Sequence, residues 1–447
     1  MNQLIKERTK MKKLTVLLLV VALLCTLLAS CGVSSNDANT NQQGSQNGSQ
    51  GSPAVDAANL TVAGKSISDF TIIYARSEYY AQGPKTFTTE WDFYKLTAME
   101  IRRQIYQHTG VTLDVKKDKD TDPLENEILV GPTDRDESSF YDSLDVYSYE
   151  NKVLGGKLVV GGGYNASYLT GDLKKSYSWA ATYHAFDYIS EYIASKMQEG
   201  IADIDLQEGF SQKGKCDFTT FACIGDSITE GYASTDWNYC SYPAVMQRVL
   251  WQDCIVINYG KSAKTMRNDL TEKKYKGTAQ YNAVMKYQQL FDGVLIMLGT
   301  NDGGVDTVFS AQDDKLYNES AYELVQKLTN NNEKLEIAIL NCTAYYGTNF
   351  GARQHVRGLQ KKLVTSLKND GYSAHFVDMQ KFTESELGKS HFPDGIHPDN
   401  AGYAMMGEYL ANVGSAIMNG SWDSDTQTVT VTENTEAALS EDKRYII

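Results

Sequence analysis

The chain reads as an α/β protein. Its second half is expected to form a three-layer α/β/α unit with a five-stranded parallel sheet, preceded by a smaller α/β sandwich. Three observations predict this class. From residue 218 onward, five apolar runs of strand length alternate with helical patterns. The runs are near-continuously apolar, as strands of a parallel sheet covered on both faces must be. Gly, Ser, Asn and Asp cluster directly after several of these runs, at what would be the carboxyl edge of the sheet.

The N-terminus concerns location. Lys6, Arg8, Lys10, Lys12 and Lys13 precede an apolar run over residues 14–29 that only Thr15 and Thr26 interrupt. The run falls short of the ~20 residues a spanning helix needs. It ends in Leu28-Ala29-Ser30-Cys31-Gly32, which resembles the lipobox of bacterial lipoproteins. That resemblance implies a signal peptide over residues 1–30 and a diacylglycerol on Cys31, anchoring the protein to the cell membrane on its extracytoplasmic side. A plain secretory signal or an uncleaved anchor is the alternative. Met11-Lys12-Lys13 already supplies a basic start, so Met11 is a second candidate initiator.

Residues 33–58 are mostly Asn, Gln, Ser and Gly. They bury too little apolar surface to offset ordering entropy and read as a flexible tether. The formal charge is −14 at pH 7, and loss of a basic leader makes it more negative. A chain so acidic is a poor ligand for nucleic acid, whose affinity rests on Lys and Arg neutralising phosphates. It also has little electrostatic grip on an anionic bilayer, which leaves the lipid as the anchor. Of seven cysteines, Cys216, Cys223, Cys240, Cys254 and Cys342 lie beyond Cys25 and Cys31. They show no CxxC spacing and no zinc framework. Cys223 and Cys254 read as small buried hydrophobes, and pairing among the five stays open.

The first folded region is expected over residues 59–213. Strand-like runs fall at 70–74, 111–115, 127–131 and 157–160. A helix over 91–108 carries Tyr94, Leu96, Met99, Ile101 and Ile105. A second over 179–197 carries Tyr183, Phe186, Ile189, Tyr192 and Ile193. Gly161-Gly162-Gly163 lacks both the Lys-Ser/Thr of a P-loop and a GxGxxG spacing, so it reads as a turn leaving a strand. Glu127-Ile128-Leu129-Val130-Gly131-Pro132-Thr133-Asp134-Arg135, Gly156-Lys157-Leu158-Val159-Val160-Gly161-Gly162 and the aromatic-rich helix resemble the N-terminal α/β domain of α-glucuronidases and β-hexosaminidases. The resemblance covers residues 65–197. It implies a non-catalytic accessory role beside an enzyme acting on glycans.

The second region is expected over 214–421, divided from the first near Lys213-Gly214-Lys215. Its strands are read at 218–224, 255–258, 294–298, 335–340 and 374–378, with helices at 243–251, 321–329 and 354–368. Pro243 suits a first helical position. A last helix follows His397, with Asp399 as its cap and Tyr403, Met406, Leu410, Val413 and Ile417 as its buried stripe. Residues 422–447 form a tail with one β-like run at 426–432 and no assigned role.

Four short blocks carry the chemistry: Gly225-Asp226-Ser227-Ile228-Thr229, Asn258-Tyr259-Gly260, Gly299-Thr300-Asn301-Asp302 and Asp394-Gly395-Ile396-His397. Alone, each is an ordinary cap or turn. In order, they supply a serine at a strand-to-helix turn, two candidate oxyanion donors, and a histidine with a carboxylate three residues before it. The ordered set resembles the SGNH (GDSL-type) hydrolase superfamily. That resemblance implies a flavodoxin-like sheet and ester hydrolysis. It makes Ser227 the nucleophile, His397 the base and Asp394 its partner, with Ser227, Gly260 and Asn301 as the oxyanion hole. Many members carry a second glycine where this chain has Ala263, which bears on the shape of that loop.

A rival reading makes His391, Asp394 and His397 metal ligands. Pro393, Gly395 and Pro398 argue against the helix that would align them, so neither a metal nor a cofactor is expected. His108, His184, His355 and His375 show no sequence partners and read as surface or packing residues. An acylated carbohydrate, acetylated polysaccharide or oligosaccharide, is the expected substrate. A lipase or thioesterase of the same fold, and a non-catalytic glycan-binding lipoprotein, are the alternatives.

Overall fold

The computed structural model describes residues 56–75, 93–165, 171–250, 254–305, 309–330, 332–347 and 350–429. The expected leader, Cys31 and most of the tether lie outside the described residues, as does the chain from 430 onward.

β1 (Asn59–Val62) and β2 (Lys65–Ser66) join β8 (Asp203–Leu206) in a small sheet. The main sheet of the first region has six strands. They are β3 (Thr71–Tyr74), β4 (Asp114–Lys117), β5 (Glu127–Val130), β6 (Ser148–Leu154), β7 (Lys157–Gly162) and β9 (Ser211–Lys215), in the order β4-β3-β5-β7-β6-β9. Successive strand residues point to opposite faces. Ile72, Ile128, Val130, Leu158 and Val160 join the core with helices α1 (Phe93–Thr109) and α2 (Gly171–Gln198). Ile73, Leu129 and Val159 pack instead on Tyr141, in the 3₁₀ segment Asp136–Ser143.

Besides the strands β1, β2, β6, β8 and β9, which the sequence reading does not contain, three of its statements need correction here. β4 begins at Asp114 rather than 111, because Leu113 turns into the core before the strand starts. Gly161 and Gly162 are the last two residues of β7, not a turn. A Cβ on Gly161 would collide with the Tyr141 ring, and one on Gly162 with Ala181, so both glycines allow close approach. Finally, Lys213-Gly214-Lys215, where the sequence suggests a divide, ends the edge strand β9, which pairs antiparallel with β6. An all-polar strand with edge lysines suits that unprotected position.

In the second region, β10 (Thr219–Gly225), β11 (Cys254–Gly260), β12 (Gly293–Met297), β13 (Glu336–Leu340) and β14 (Ala374–Val377) run parallel in the order β11-β10-β12-β13-β14. This is the doubly wound 2-1-3-4-5 order, whose switch point lies between its first and third strands, here β10 and β12. After the single turn α3 (Ser227–Glu230) comes α4 (Tyr242–Leu250), which packs with α8 (Asn400–Met418) on Phe221, Cys223, Leu295 and Met297. The opposite face, Ala222, Ile224, Val294 and Ile296, is covered by α5 (Ala279–Tyr287), α6 (Ala311–Thr329) and α7 (Phe350–Asn369). The three expected layers are present. Asp399 caps α8 by accepting from the Gly402 N–H, and the predicted stripe is buried.

The two sheets meet through a buried aromatic junction. Cys216 N–H donates to Tyr147 O (2.6 Å), and the Tyr177 hydroxyl bonds with Thr220 Oγ1 at 2.8 Å. Phe218 packs on the rings of Tyr147 and Tyr177, with centroids at 6.5 and 5.8 Å. All these contacts lie at the amino end of β10. The residues after α8 also find a role. Trp422 Nε1 and Gln427 Nε2 both donate to Phe376 O at 3.1 Å, and Gln427 Oε1 accepts from Asp378 N. The hairpin β15 (Trp422–Asp423) and β16 (Thr428–Val429) thereby covers the free edge of β14. Among the described residues the five cysteines from 216 onward form no disulfide, and four of them are buried.

Candidate active site

β10 stops at Gly225 because the chain turns there too tightly for a side chain: a Cβ would collide with Thr229. Asp226 then caps α3 by accepting from Ile228 N–H (3.0 Å), which makes Ser227 the first helical residue. Gly231, at φ +100°, ends the turn. This strand-to-helix elbow brings Ser227 to the carboxyl edge of the sheet, 7% exposed.

His397 arrives from a loop 170 residues away. Its Nε2 lies 2.9 Å from Ser227 Oγ. Its Nδ1 lies 2.6 Å from Asp394 Oδ2, and Asp394 Oδ1 accepts from the N–H groups of Ile396 (2.9 Å) and His397 (2.8 Å). A carboxylate at Nδ1 makes that nitrogen the donor, which leaves Nε2 able to accept the serine proton. Partial burial works to raise Asp394. The donors from His397 and Ile396 outweigh it and hold the carboxyl below its usual range.

The rival metal set does not assemble. His391 Nδ1 bonds to Asp399 at 3.0 Å, a pairing separate from His397 with Asp394. Among the described residues no group of three or more His, Cys, Asp or Glu is placed to hold a metal ion. The other histidines have partners that the sequence alone did not show. His108 meets Ser190 (2.7 Å), His355 Asp314 (2.6 Å) and His375 Glu336 (2.8 Å), while His184 packs on Phe218.

The oxyanion side needs a correction. Gly260 N–H, the expected donor, is held by Asn258 Oδ1 at 2.8 Å. The glycine serves packing instead, because a Cβ there would strike the backbone of Thr229 and Glu230. The next two N–H groups are also taken, Lys261 by Gly225 O (2.9 Å) and Ser262 by Glu230 Oε2 (2.6 Å). Ala263 follows in a left-handed conformation, φ +61°, and its N–H donates to no described residue. Its methyl group makes that conformation unfavourable, so the position is one that favours glycine. Asn301 Nδ2 donates to Lys264 O at 3.0 Å, which fixes the amide and leaves its second hydrogen available.

Sequence reasoning missed the supports of this loop. Glu230 accepts from Ser262 N, Ser262 Oγ and Lys261 Nζ (3.3 Å), tying the nucleophile turn to the loop after β11. Asp302, fully buried, accepts from Met266 N (2.9 Å) and Arg267 N (3.0 Å). Glu230 lies inside the first block's helix, where an acidic residue looks like ordinary charge.

Residues 223–405 match the GDSL-like Lipase/Acylhydrolase family. An acetylxylan esterase of Xylanibacter ruminicola is 26% identical over 215 residues, covering 44% of this chain and 43% of that protein. The match therefore spans less than half of that relative. Solved structures are similar too, among them the following two. A family two carbohydrate esterase from Clostridium thermocellum, in complex with cellohexaose, has 22% identity over 47% of this chain and 68% of its own, with TM-score 0.36. A carbohydrate esterase family 2 enzyme from Corynascus thermopiles has 23% identity over 47% and 70%, with TM-score 0.35.

Proposed function

Residues 223–405 form a GDSL-like lipase/acylhydrolase domain, and from that premise we propose that the protein is a serine esterase that deacetylates carbohydrate. The observation that carries the esterase reading is the relay from Ser227 through His397 to Asp394, at 2.9 and 2.6 Å. Ser227 Oγ attacks the acyl carbon while His397 Nε2 takes its proton. Asp394 stabilises the imidazolium. The Ser227 N–H, the Asn301 amide and the Ala263 N–H, in the role expected of Gly260, hold the tetrahedral oxyanion. His397 returns the proton to the departing alcohol. It then activates water, which releases the acid from Ser227.

The carbohydrate half of the reading is supported by the acetylxylan esterase similarity and by the glycan-associated resemblance of residues 65–197. The leader and Cys31 support a place at the cell surface, on a lipid anchor at the extracytoplasmic side of the membrane. Cys31→Ala should move the protein from the membrane to the soluble fraction, and an unchanged membrane fraction would remove that part of the reading.

The catalytic part is tested with p-nitrophenyl acetate on the wild type and Ser227→Ala. Equal rates would end it. A p-nitrophenyl series from acetate to octanoate, run beside acetate release from acetylated xylan, decides the substrate class. Preference for octanoate with no release from xylan would favour a lipase.

A further inference from the structure

We infer that Tyr232 and Trp237 form a platform for the sugar ring of the departing alcohol, so that the site selects the alcohol half of the ester rather than the acyl half. The inference rests on the esterase reading above.

Tyr232 is 46% exposed, one of few large hydrophobic side chains so open among the described residues. Its ring centroid lies 4.7 Å from that of His397, tilted by 55°, and 6.0 Å from the half-buried Trp237. The aromatic pair is held from below rather than left loose. Tyr232 N–H donates to Ser227 O (2.9 Å), and the buried Tyr403 hydroxyl donates to Tyr232 O (2.8 Å). Ser234 Oγ closes back on Gly231 O at 2.7 Å. Thr235 exchanges two hydrogen bonds with Asn400 at the start of α8, at 2.9 and 2.8 Å. An exposed aromatic ring on so fixed a loop presents a face whose ordering cost is already met, which favours binding.

The direction of proton transfer says which part of the substrate meets that face. The leaving oxygen must come within hydrogen-bond reach of His397 Nε2 to receive its proton. The alcohol therefore departs past the imidazole, and the ring lying against the imidazole is Tyr232. The acyl carbonyl is turned to the other side, toward Asn301 and the loop ending in Ala263. A pyranose suits the occupant's place: its C–H face packs on aromatic rings, while its rim hydroxyls need polar partners. The Tyr232 hydroxyl and the Trp237 indole N–H are the polar groups such a pair of rings brings to those hydroxyls.

The test compares kcat/KM on an acetylated xylo-oligosaccharide and on ethyl acetate, whose leaving group is too small to reach the platform. Tyr232→Ala should lower the ratio of the two values by about 10–100-fold, the effect of losing one buried aromatic contact. The loss should sit mainly in KM for the sugar ester, and Tyr232→Phe should recover most of it. Trp237→Ala should lower the same ratio less. The acetate-to-octanoate profile of Tyr232→Ala should match the wild type. Equal losses on both acetates, or an altered acyl profile, would overturn the platform. A wild type that hydrolyses ethyl acetate but no acetylated sugar would instead sink the carbohydrate reading and leave the catalytic relay standing.

Discussion

Glu127 in the first sheet and Asp226 just after β10 in the second both have no exposed surface, but Asp226 lies the deeper of the two. Lys157 Nζ lies 2.9 Å from Glu127 Oε2, while Arg135 (3.2 Å) and the Leu124 N–H (2.9 Å) reach Oε1. Burial pushes the Glu127 carboxyl up, yet those partners outweigh it and hold it below its usual range. At Asp226 burial wins and pushes the carboxyl up to about 7. Its Oδ1 caps α3, while Oδ2, like Glu127 Oε2, meets no well-formed hydrogen bond; the nearby Thr300 and Arg353 only partly offset the burial. Asp302 beside it is pushed up to about 6 for the same reason. The difference separates two uses of buried charge. In the first sheet an ion-paired cluster locks loops to strands. In the second, incompletely neutralised carboxyls underlie a turn whose neighbours converge on Ser227.

The largest expected effect lies in the second sheet. Ser227→Ala should lower esterase kcat/KM by about 10⁴-fold or more while the thermal midpoint stays within experimental scatter. Retained activity would dissolve the contrast. The mirror experiment is Arg135→Ala, which leaves Glu127 short of a cation. Urea unfolding should show a loss of about 3–5 kcal/mol, the usual cost of breaking a buried ion pair, with turnover per folded molecule unchanged. A rate effect without a stability effect would reverse the roles of the two sheets. Asn301→Ala should reduce kcat by about 10²–10³-fold, and a change confined to KM would remove Asn301 from the oxyanion site.

Asp226→Asn sharpens the comparison through pH. The folded carboxyl titrates near 7, above its unfolded value. Its stabilising contribution is thus complete below pH ~4 and is lost as pH rises through 7. Wild-type stability should therefore fall across that window by a few kcal/mol more than that of Asp226→Asn. Parallel curves would show that Asp226 is neutralised as well as Glu127 is. The smallest effect is at Ala263. Replacement by Gly relieves the left-handed strain and should raise stability by about 1 kcal/mol with little change in rate.

The second sheet was the more legible of the two, for a physical reason. Its strands are buried on both faces, so their sequences are apolar runs, and all five lie within two or three residues of their expected positions. In the first sheet, β6 alternates Ser-Tyr-Glu-Asn-Lys-Val-Leu, and β9 is Ser-Gln-Lys-Gly-Lys at the edge. Neither offers an apolar run to find. Ser227, His397 and Asp394 were legible because their chemistry fixes residue type and order. The second oxyanion donor was not, because a backbone N–H carries no side-chain signature. Only the hydrogen bond from Gly260 N–H to Asn258, and the left-handed φ of Ala263, move that role along the loop.

Activation of Ser227 by His397 is the claim on which the rest depends. A fluorophosphonate reacts only with an activated serine, so its site and rate of labelling report that hydrogen bond directly. Peptide mass spectrometry should place one label per chain on Ser227, with activity lost in step, and His397→Ala should slow labelling by about 10²–10⁴-fold. A label on another serine, or equal rates in the wild type and His397→Ala, would contradict the account.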